Sequence, residues 1–175
     1  MAVMHDTVII RFTTRFSADE DRIALDCEAA GGSVFCYWLT RRLSDKFLAA
    51  LLNAAERIDP GPAVPPVART LWRAQAQSSV QSAMAKTPPV ERSALVAGYV
   101  VQSVQIKQTE AGVHLRFVPR HGPSADLTLS MKQLLQWLKI IYDSYQVSEW
   151  QFFLWPEWFL EINEPVISSG INVLH

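Results

Sequence analysis

The feature that most constrains this chain is an apparent strand-to-helix transition that occurs twice. The segment VFCYWLTRRL, Val34 to Leu43, is similar to ADLTLSMKQL, Ala125 to Leu134. In each, an apolar run ends in Leu and a hydroxyl residue, and a helical pattern with Leu at its core positions follows. Matched residues lie 90 positions apart: Gly32 and Gly122, Leu39 and Leu129, Thr40 and Ser130. We interpret both segments as strands that lead into capped helices. Either a duplication or chance would produce the similarity between them.

Composition favours one folded unit. The 175 residues suffice for a full-sized core, and 49% apolar with 19% charged residues is typical of globular proteins, so a single domain over residues 1–175 is expected. A net charge of −1 argues against a general binder of nucleic acids or anionic membranes. Neither a signal peptide nor eighteen consecutive apolar residues is found, so the expected location is cytoplasmic and no membrane partner is expected.

The first half predicts three strands and a helix. In Thr7 to Phe16, apolar residues alternate with others, which predicts a core face carrying Val8, Ile10, Phe12 and Phe16. A second alternating run contains Ile23, Leu25 and Cys27. Val34 to Leu39 is apolar on both faces, as in a strand covered on both sides. The helix that follows has an apolar stripe: Leu43, Phe47, Leu48, Leu51 and Leu52.

The two cysteines are expected to be buried thiols. If Gly31 and Gly32 form a complete two-residue hairpin loop, Cys27 lies opposite Cys36, which leaves their pairing open. Two cysteines are too few for a disulfide scaffold, and the histidines have no zinc-ligand spacing. No metal and no cofactor is expected.

The second half repeats the order. It predicts a strand over about 95–108, a turn at Glu110 to Gly112, a strand around Val113 to Phe117, and a strand Ala125 to Leu129. Ser130 and Gln133 have capping-box spacing, which predicts a helix start. The buried side of that helix carries Leu134, Leu138, Ile141 and Tyr145.

These elements predict an α+β fold in which two strand-rich, βββα-like halves form antiparallel hairpins with helices packed on the sheet. The halves are residues 7–58 and 95–147. Between them, 59–89 holds a Pro-rich linker, 59–67, and a connecting helix, 68–86. Residues 148–175 form an aromatic C-terminal tail, in which Leu160 to Asn163 is a candidate closing strand. The sequence leaves open whether the halves share one sheet.

Arg41 and Arg42 form a candidate anion site. They lie at or just before a helix start, where cations meet the positive end of the macrodipole and are disfavoured. Two guanidiniums beside unpaired backbone donors suit a phosphate or carboxylate. The alternative makes Ser44 the helix cap and leaves both arginines in a loop, paired with the acidic turn Asp19 to Asp21.

The tail WQFFLWPEWF, Trp150 to Phe159, has six aromatic residues in ten positions. Tryptophan is enriched at binding hot spots, so Trp150, Trp155, Trp158 and Phe159 are candidate partner contacts. The structural alternative is that these rings close the core of the monomer.

Catalytic motifs are missing, since neither cysteine has a histidine nearby in sequence and no GxSxG, HExxH or Walker-type loop occurs. We therefore expect a non-enzymatic protein-interaction or self-assembly module, such as a homodimer, that binds through the tail and the Arg41–Arg42 pair. One alternative is a nucleic-acid binder using Arg11, Arg15, Arg41 and Arg42. A second is an enzyme in which Cys36 meets His114 or His121 in space.

Overall fold

A computed structural model describes residues 7–57, 88–93 and 96–163, which form an α+β fold. The predicted linker 59–67 and connecting helix 68–86 lie outside the described residues, as does residue 95 at the predicted start of the fourth strand. The strands are β1 (Thr7–Ser17), β2 (Arg22–Ala29), β3 (Val34–Thr40), β4 (Gly98–Gln108), β5 (Gly112–Pro119) and β6 (Ala125–Ser130). The helices are α1 (Arg41–Arg57), α2 (Met131–Ser148) and α3 (Glu157–Asn163).

Both predicted strand-to-helix transitions are confirmed. β3 runs directly into α1, and β6 runs directly into α2. The Thr40 hydroxyl accepts a hydrogen bond from the Leu43 N–H at 3.4 Å. At the second transition Ser130 and Gln133 form the predicted capping box, in which the Gln133 N–H donates to Ser130 Oγ and the Ser130 N–H donates to Gln133 Oε1. Hydroxyl residues therefore satisfy helix donors at both points.

The six strands form one closed barrel in the order β1 to β6, which answers whether the halves share a sheet. Consecutive strands pair antiparallel within β1–β2–β3 and within β4–β5–β6. Two short parallel seams join these groups. Cys36–Trp38 pairs with Gly98–Val100, and Thr7–Val8 pairs with Ala125–Asp126. α1 packs across β3 and β4 beside the first seam, and α2 packs across β1 and β6 beside the second.

The predicted register of the first hairpin is wrong by one residue. Cys27 pairs with Phe35, whereas Cys36 pairs with Asp26. The Ala29 N–H donates to the Ser33 carbonyl at 2.9 Å, so the loop has three residues and ends at Gly32, whose φ is +81°. A one-residue slip moves a side chain to the opposite face of a strand. Cys27 and Cys36 are consequently on opposite faces, and both are buried, free thiols.

The predicted core face of β1 is also wrong at its start. The β1–β2 register shifts between Ile9 and Arg11, as in a β-bulge. Ile9 is therefore buried, while Val8 and Ile10 are exposed. Beyond the bulge, Phe12 and Phe16 pack against the core as expected.

One hydrophobic core joins all six strands to the helices. The predicted stripes of α1 and α2 are buried within it, except that Leu43 is partly exposed. The ring of Phe47 on α1 lies 5.3 Å from that of Trp137 on α2 and 6.2 Å from that of Phe117 on β5. The Trp137 indole N–H donates to Thr14 Oγ1 at 2.9 Å, which fixes α2 against β1.

The chain ends differently from the prediction, because Leu160 to Asn163 belongs to a helix and not to a closing strand. Pro156 precedes α3, and its carbonyl accepts hydrogen bonds from the N–H groups of Phe159 and Leu160. Proline suits a helix start because it has no N–H to leave unpaired. Among the described helices, none is long and apolar enough to cross a membrane.

Candidate functional site

The aromatic tail is tied to the body of the protein by buried rings. Trp150 is buried, and its indole N–H donates to Asp21 Oδ1 at 2.9 Å. Phe159 on α3 is fully buried and its ring lies 5.6 Å from that of Tyr142. Trp150 and Phe159, two of the four predicted partner contacts, therefore close the core of the monomer, which was the structural alternative for the tail.

The other two predicted contacts are half-buried. Trp155 stacks on Phe159 with ring centroids 4.9 Å apart and meets the edge of Tyr142 at 5.0 Å. Trp158 donates from its indole N–H to Glu56 Oε1 at 3.2 Å. Each keeps one side available to solvent, and their role as partner contacts stays a prediction.

Tyr145 anchors this arrangement from α2. Its ring makes edge contacts with Trp150, Phe152 and Trp155, with centroids between 5.4 and 6.1 Å apart. Its hydroxyl donates to Asp45 Oδ1 at 2.7 Å. Burial and the Asp45 hydrogen bond raise the pKa of Tyr145, so the phenol stays protonated and the bond persists at neutral pH.

The most accessible apolar side chains of the tail are ones that the sequence analysis did not select. Phe153 is 87% exposed and Leu154 is 67% exposed, between the packed residues Phe152 and Trp155. The sequence does not distinguish Phe153 and Leu154 from the other residues of the tail, because their neighbours are apolar and aromatic as well. Only packing distinguishes the ring that faces α2 from the ring that faces solvent.

Arg41 and Arg42 occupy the first two positions of α1, and both are exposed. The alternative that placed them in a loop before a Ser44 cap is wrong, since Ser44 is a buried residue inside the helix. Within the described residues neither guanidinium forms an ion pair with a carboxylate. Two cations thus remain at the positive end of α1, where an anion would be stabilised.

The arginines and the tail meet at one point of the surface. Arg41 Nη2 donates to the Gln151 carbonyl at 3.4 Å. Gln151 is two residues before Phe153 in the chain, so this hydrogen bond ties Arg41 to the segment that carries the exposed Phe153–Leu154 pair. We call these four residues, Arg41, Arg42, Phe153 and Leu154, the tail face. It consists of two exposed apolar side chains and two exposed cations.

The arginines of the nucleic-acid alternative do not form one patch of free charge. Arg11 Nε donates to Glu28 Oε2 at 2.7 Å, and Arg15 is paired with the buried Asp26. Arg41 and Arg42 lie at the α1 start. Two of the four guanidiniums are therefore compensated by carboxylates, which lowers the field that would attract phosphates.

Cys36 and His114, two residues of the enzyme alternative, have separate partners in the structure. Cys36 is contacted by Arg92 Nη1 at 3.5 Å, and burial raises the pKa of its thiol to about 11. His114 instead contacts Thr128 and Asp126 across β5 and β6. In the part of the chain that the structure describes, no three His, Cys, Asp or Glu side chains are grouped to hold a metal.

Comparison with known proteins adds no relative. No protein-family model, no curated protein and no solved structure matches this chain.

Proposed function

We propose that this protein is a non-enzymatic interaction module that binds an apolar segment of a partner protein, flanked by carboxylates, through the tail face. The observation that carries the proposal is the Arg41–Gln151 hydrogen bond, which joins Arg41 to the tail segment that carries the exposed Phe153 and Leu154. We place the protein in the cytoplasm, because buried cysteines that remain free thiols suit a reducing compartment.

The apolar centre provides the binding energy. Burying a large apolar side chain is worth roughly 1.5–3 kcal/mol, and Phe153 and Leu154 are adjacent and largely exposed. Hot spots lie at the centre of interfaces and are bordered by polar residues that exclude water. In the proposed interface the Phe153–Leu154 pair is the apolar centre, and Arg41, which is bonded to Gln151, is a polar residue of the rim.

The cationic border selects the partner. Arg41 and Arg42 are exposed and, within the described residues, without a carboxylate partner, so acidic groups beside an apolar segment complement them. The packed rings of Trp150, Trp155 and Phe159 hold the segment beneath in one conformation. A preorganised surface loses less conformational entropy on binding, which favours affinity.

The test begins with a photoreactive phenylalanine analogue placed at position 153 of the intact chain in cells, with position 147 as the matched control. Val147 is another exposed apolar residue, near the end of α2. We expect a specific crosslinked protein at 153 and none at 147. With that protein purified, Phe153→Ala should weaken binding by roughly tenfold to a hundredfold.

Charge reversal tests the border separately. Arg41→Glu with Arg42→Glu should weaken binding by about tenfold and reduce its salt dependence, because exposed charges act mainly through screened attraction. If the crosslinked protein is a second copy, light scattering should show a dimer that Phe153→Ala dissociates. Equal crosslinking at 153 and 147, or affinity unchanged by Phe153→Ala, contradicts the proposal.

A further inference from the structure

β1 and β6 separate soon after they meet. Their parallel pairing consists of Thr7 with Ala125 and Val8 with Asp126. From Ile9 onward β1 is paired with β2, and from Leu127 onward β6 is paired with β5. The sides of β1 and β6 that face each other have no further ladder partner among the described residues. The barrel is therefore closed between β1 and β6 by two residue pairs, and beyond them the facing edges of the two strands are unpaired among the described residues.

A cavity of about 530 Å³ lies at these edges. It is lined by β1 from Ile9 to Thr14, by β6 from Leu127 to Leu129, and by Pro88 and Pro89, which begin the segment over the outer face of β1. Its floor is α2, which contributes Gln136, Trp137 and Ile140. We call this space the β1–β6 groove.

The charge of the groove restricts its occupant. Of the described residues that line it, Arg11 is the charged one, and Glu28 already neutralises its guanidinium. The remaining lining is apolar, threonine, proline or glutamine. A charged occupant would lose water without gaining a partner of opposite charge, so the complementary ligand is uncharged.

The open backbone edges restrict it further. Alternate residues along an unpaired strand edge present N–H and C=O groups, which an extended peptide can pair with in register. Proteins usually protect such an edge with charged side chains, commonly lysine. Here the charge of Arg11 is taken up by Glu28, and the neighbouring Ile10 is 61% exposed beside the bulge. An apolar molecule without a backbone would leave these donors and acceptors unpaired.

From these observations we infer that the β1–β6 groove binds an extended, uncharged segment of a partner protein, rich in β-branched residues, as an added strand on the β1 edge. The open stretch Ile9 to Thr14 spans six residues, which is about 20 Å of strand. This site is separate from the tail face, because its floor is the middle of α2 and the tail packs on Tyr142 and Tyr145 near the end of that helix.

The test uses the full chain as the target for a phage-displayed library of random nine-residue peptides. Enriched peptides should be uncharged and rich in Val, Ile and Thr. A synthetic copy of the strongest binder should lose at least about tenfold in affinity when alternate backbone nitrogens are methylated, since each methyl removes a backbone donor. Methylation of the opposite set of nitrogens is the matched control and should have a smaller effect.

Two variants locate the site. Ile10→Lys places a charge on the edge and should weaken peptide binding by at least about tenfold, while Gln136→Arg places one on the floor with the same result. Val147→Lys and Phe153→Ala lie elsewhere and should leave peptide affinity unchanged. The inference is overturned if the library yields no enriched sequence. It is also overturned if methylated and unmethylated peptides bind equally well, as a generic apolar ligand would, or if Ile10→Lys folds and leaves peptide binding unchanged.

Discussion

The outer faces of the two three-stranded groups carry similar ion pairs in opposite surroundings. On β2, Asp26 is fully buried and is paired with Arg15, while Arg92 Nε lies 3.6 Å from Asp26 Oδ1. On β6, the Asp126 side chain is 14% exposed and meets Arg116 Nη1 at 2.9 Å. The aspartate is thus fully buried in one group and partly accessible to water in the other.

A short segment causes the difference. Residues Pro88 to Ser93, which we call the strap, cross the outer face of β1–β2–β3. Val90 is buried there, and its N–H donates to Thr13 Oγ1 at 2.8 Å. Arg92 lies over the Trp38 ring at 5.2 Å. The strap therefore makes the outer face of β1–β2–β3 part of the folded structure.

The largest effect is expected from neutralising the covered aspartate. Among the described residues, neither Asp26 oxygen accepts a well-directed hydrogen bond, so nearby arginine charge compensates it. Asp26→Asn leaves Arg15 and Arg92 facing each other without an anion and should cost about 3 kcal/mol of unfolding free energy. Asp126→Asn should cost less, about 1 kcal/mol, because both partners of this pair keep some contact with water, which screens the interaction. Urea denaturation measures both values.

The control is the double variant Asp26→Asn with Asp126→Asn, whose loss should be close to the sum of the single losses, because the two sites share no partner. Equal losses for the two single variants would contradict the claim that burial separates the two faces.

An intermediate effect is expected from loosening the strap. Arg92→Ala removes the contacts of Arg92 with Asp26, Trp38 and Cys36. Cys36 lies on the covered outer face, so its reaction with a thiol reagent under native conditions should become roughly tenfold faster, about 1.4 kcal/mol of opening free energy. Mass spectrometry of the labelled peptides gives the rate.

Cys27 is the internal control for this experiment, because it lies on the inner face of the same hairpin. Its labelling reports opening of the core and should change little in Arg92→Ala. If both thiols accelerate equally, the strap does not open as a separate unit.

The smallest effect concerns alkaline pH. Burial, with a further contribution from Asp26, raises the pKa of Cys36 from 9.0 to about 11. The folded state therefore holds this proton after the unfolded state has released it. The contribution of this thiol to the unfolding free energy is therefore fully present below pH 9 and is lost as the pH rises to about 11.

Cys36→Ala should flatten the fall in unfolding free energy between pH 9 and 11 by up to about 1 kcal/mol. Burial also raises the pKa values of Cys27, Tyr37 and Tyr145, so a fall should remain in the variant. Guanidinium titrations at several pH values measure the unfolding free energy of the parent chain and of Cys36→Ala. An unchanged slope in Cys36→Ala would show that the thiol ionises alike in both states.

Local patterns predicted the elements well. The Leu-hydroxyl signal located both helix starts, and the stripes of α1 and α2 identified the residues of those helices that pack on the core. A helix start depends on its capping residue, and an apolar stripe depends on the period of the helix, so both are short-range properties. Dependence on a few neighbouring residues makes such features readable from sequence.

Register and burial were harder to predict, because distant contacts decide them. One more loop residue than expected changed which strand position Cys36 occupies, and a bulge reversed the exposure of Ile10. Burial of Asp26 depends on a strap more than sixty residues away in the chain. The tail illustrates the same limit, since Phe152 and Phe153 are chemically identical and only packing on Tyr145 separates them.

The central claim is that the first group of strands is covered on its outer face and is open along the β1 edge. Residue-resolved amide hydrogen exchange of the free protein tests it most directly. We expect slow exchange throughout β2, which is paired on both sides, and alternating slow and fast amides from Ile10 to Thr14 on β1. Uniformly slow exchange along that stretch of β1 would show that its edge is already paired, and would contradict the account.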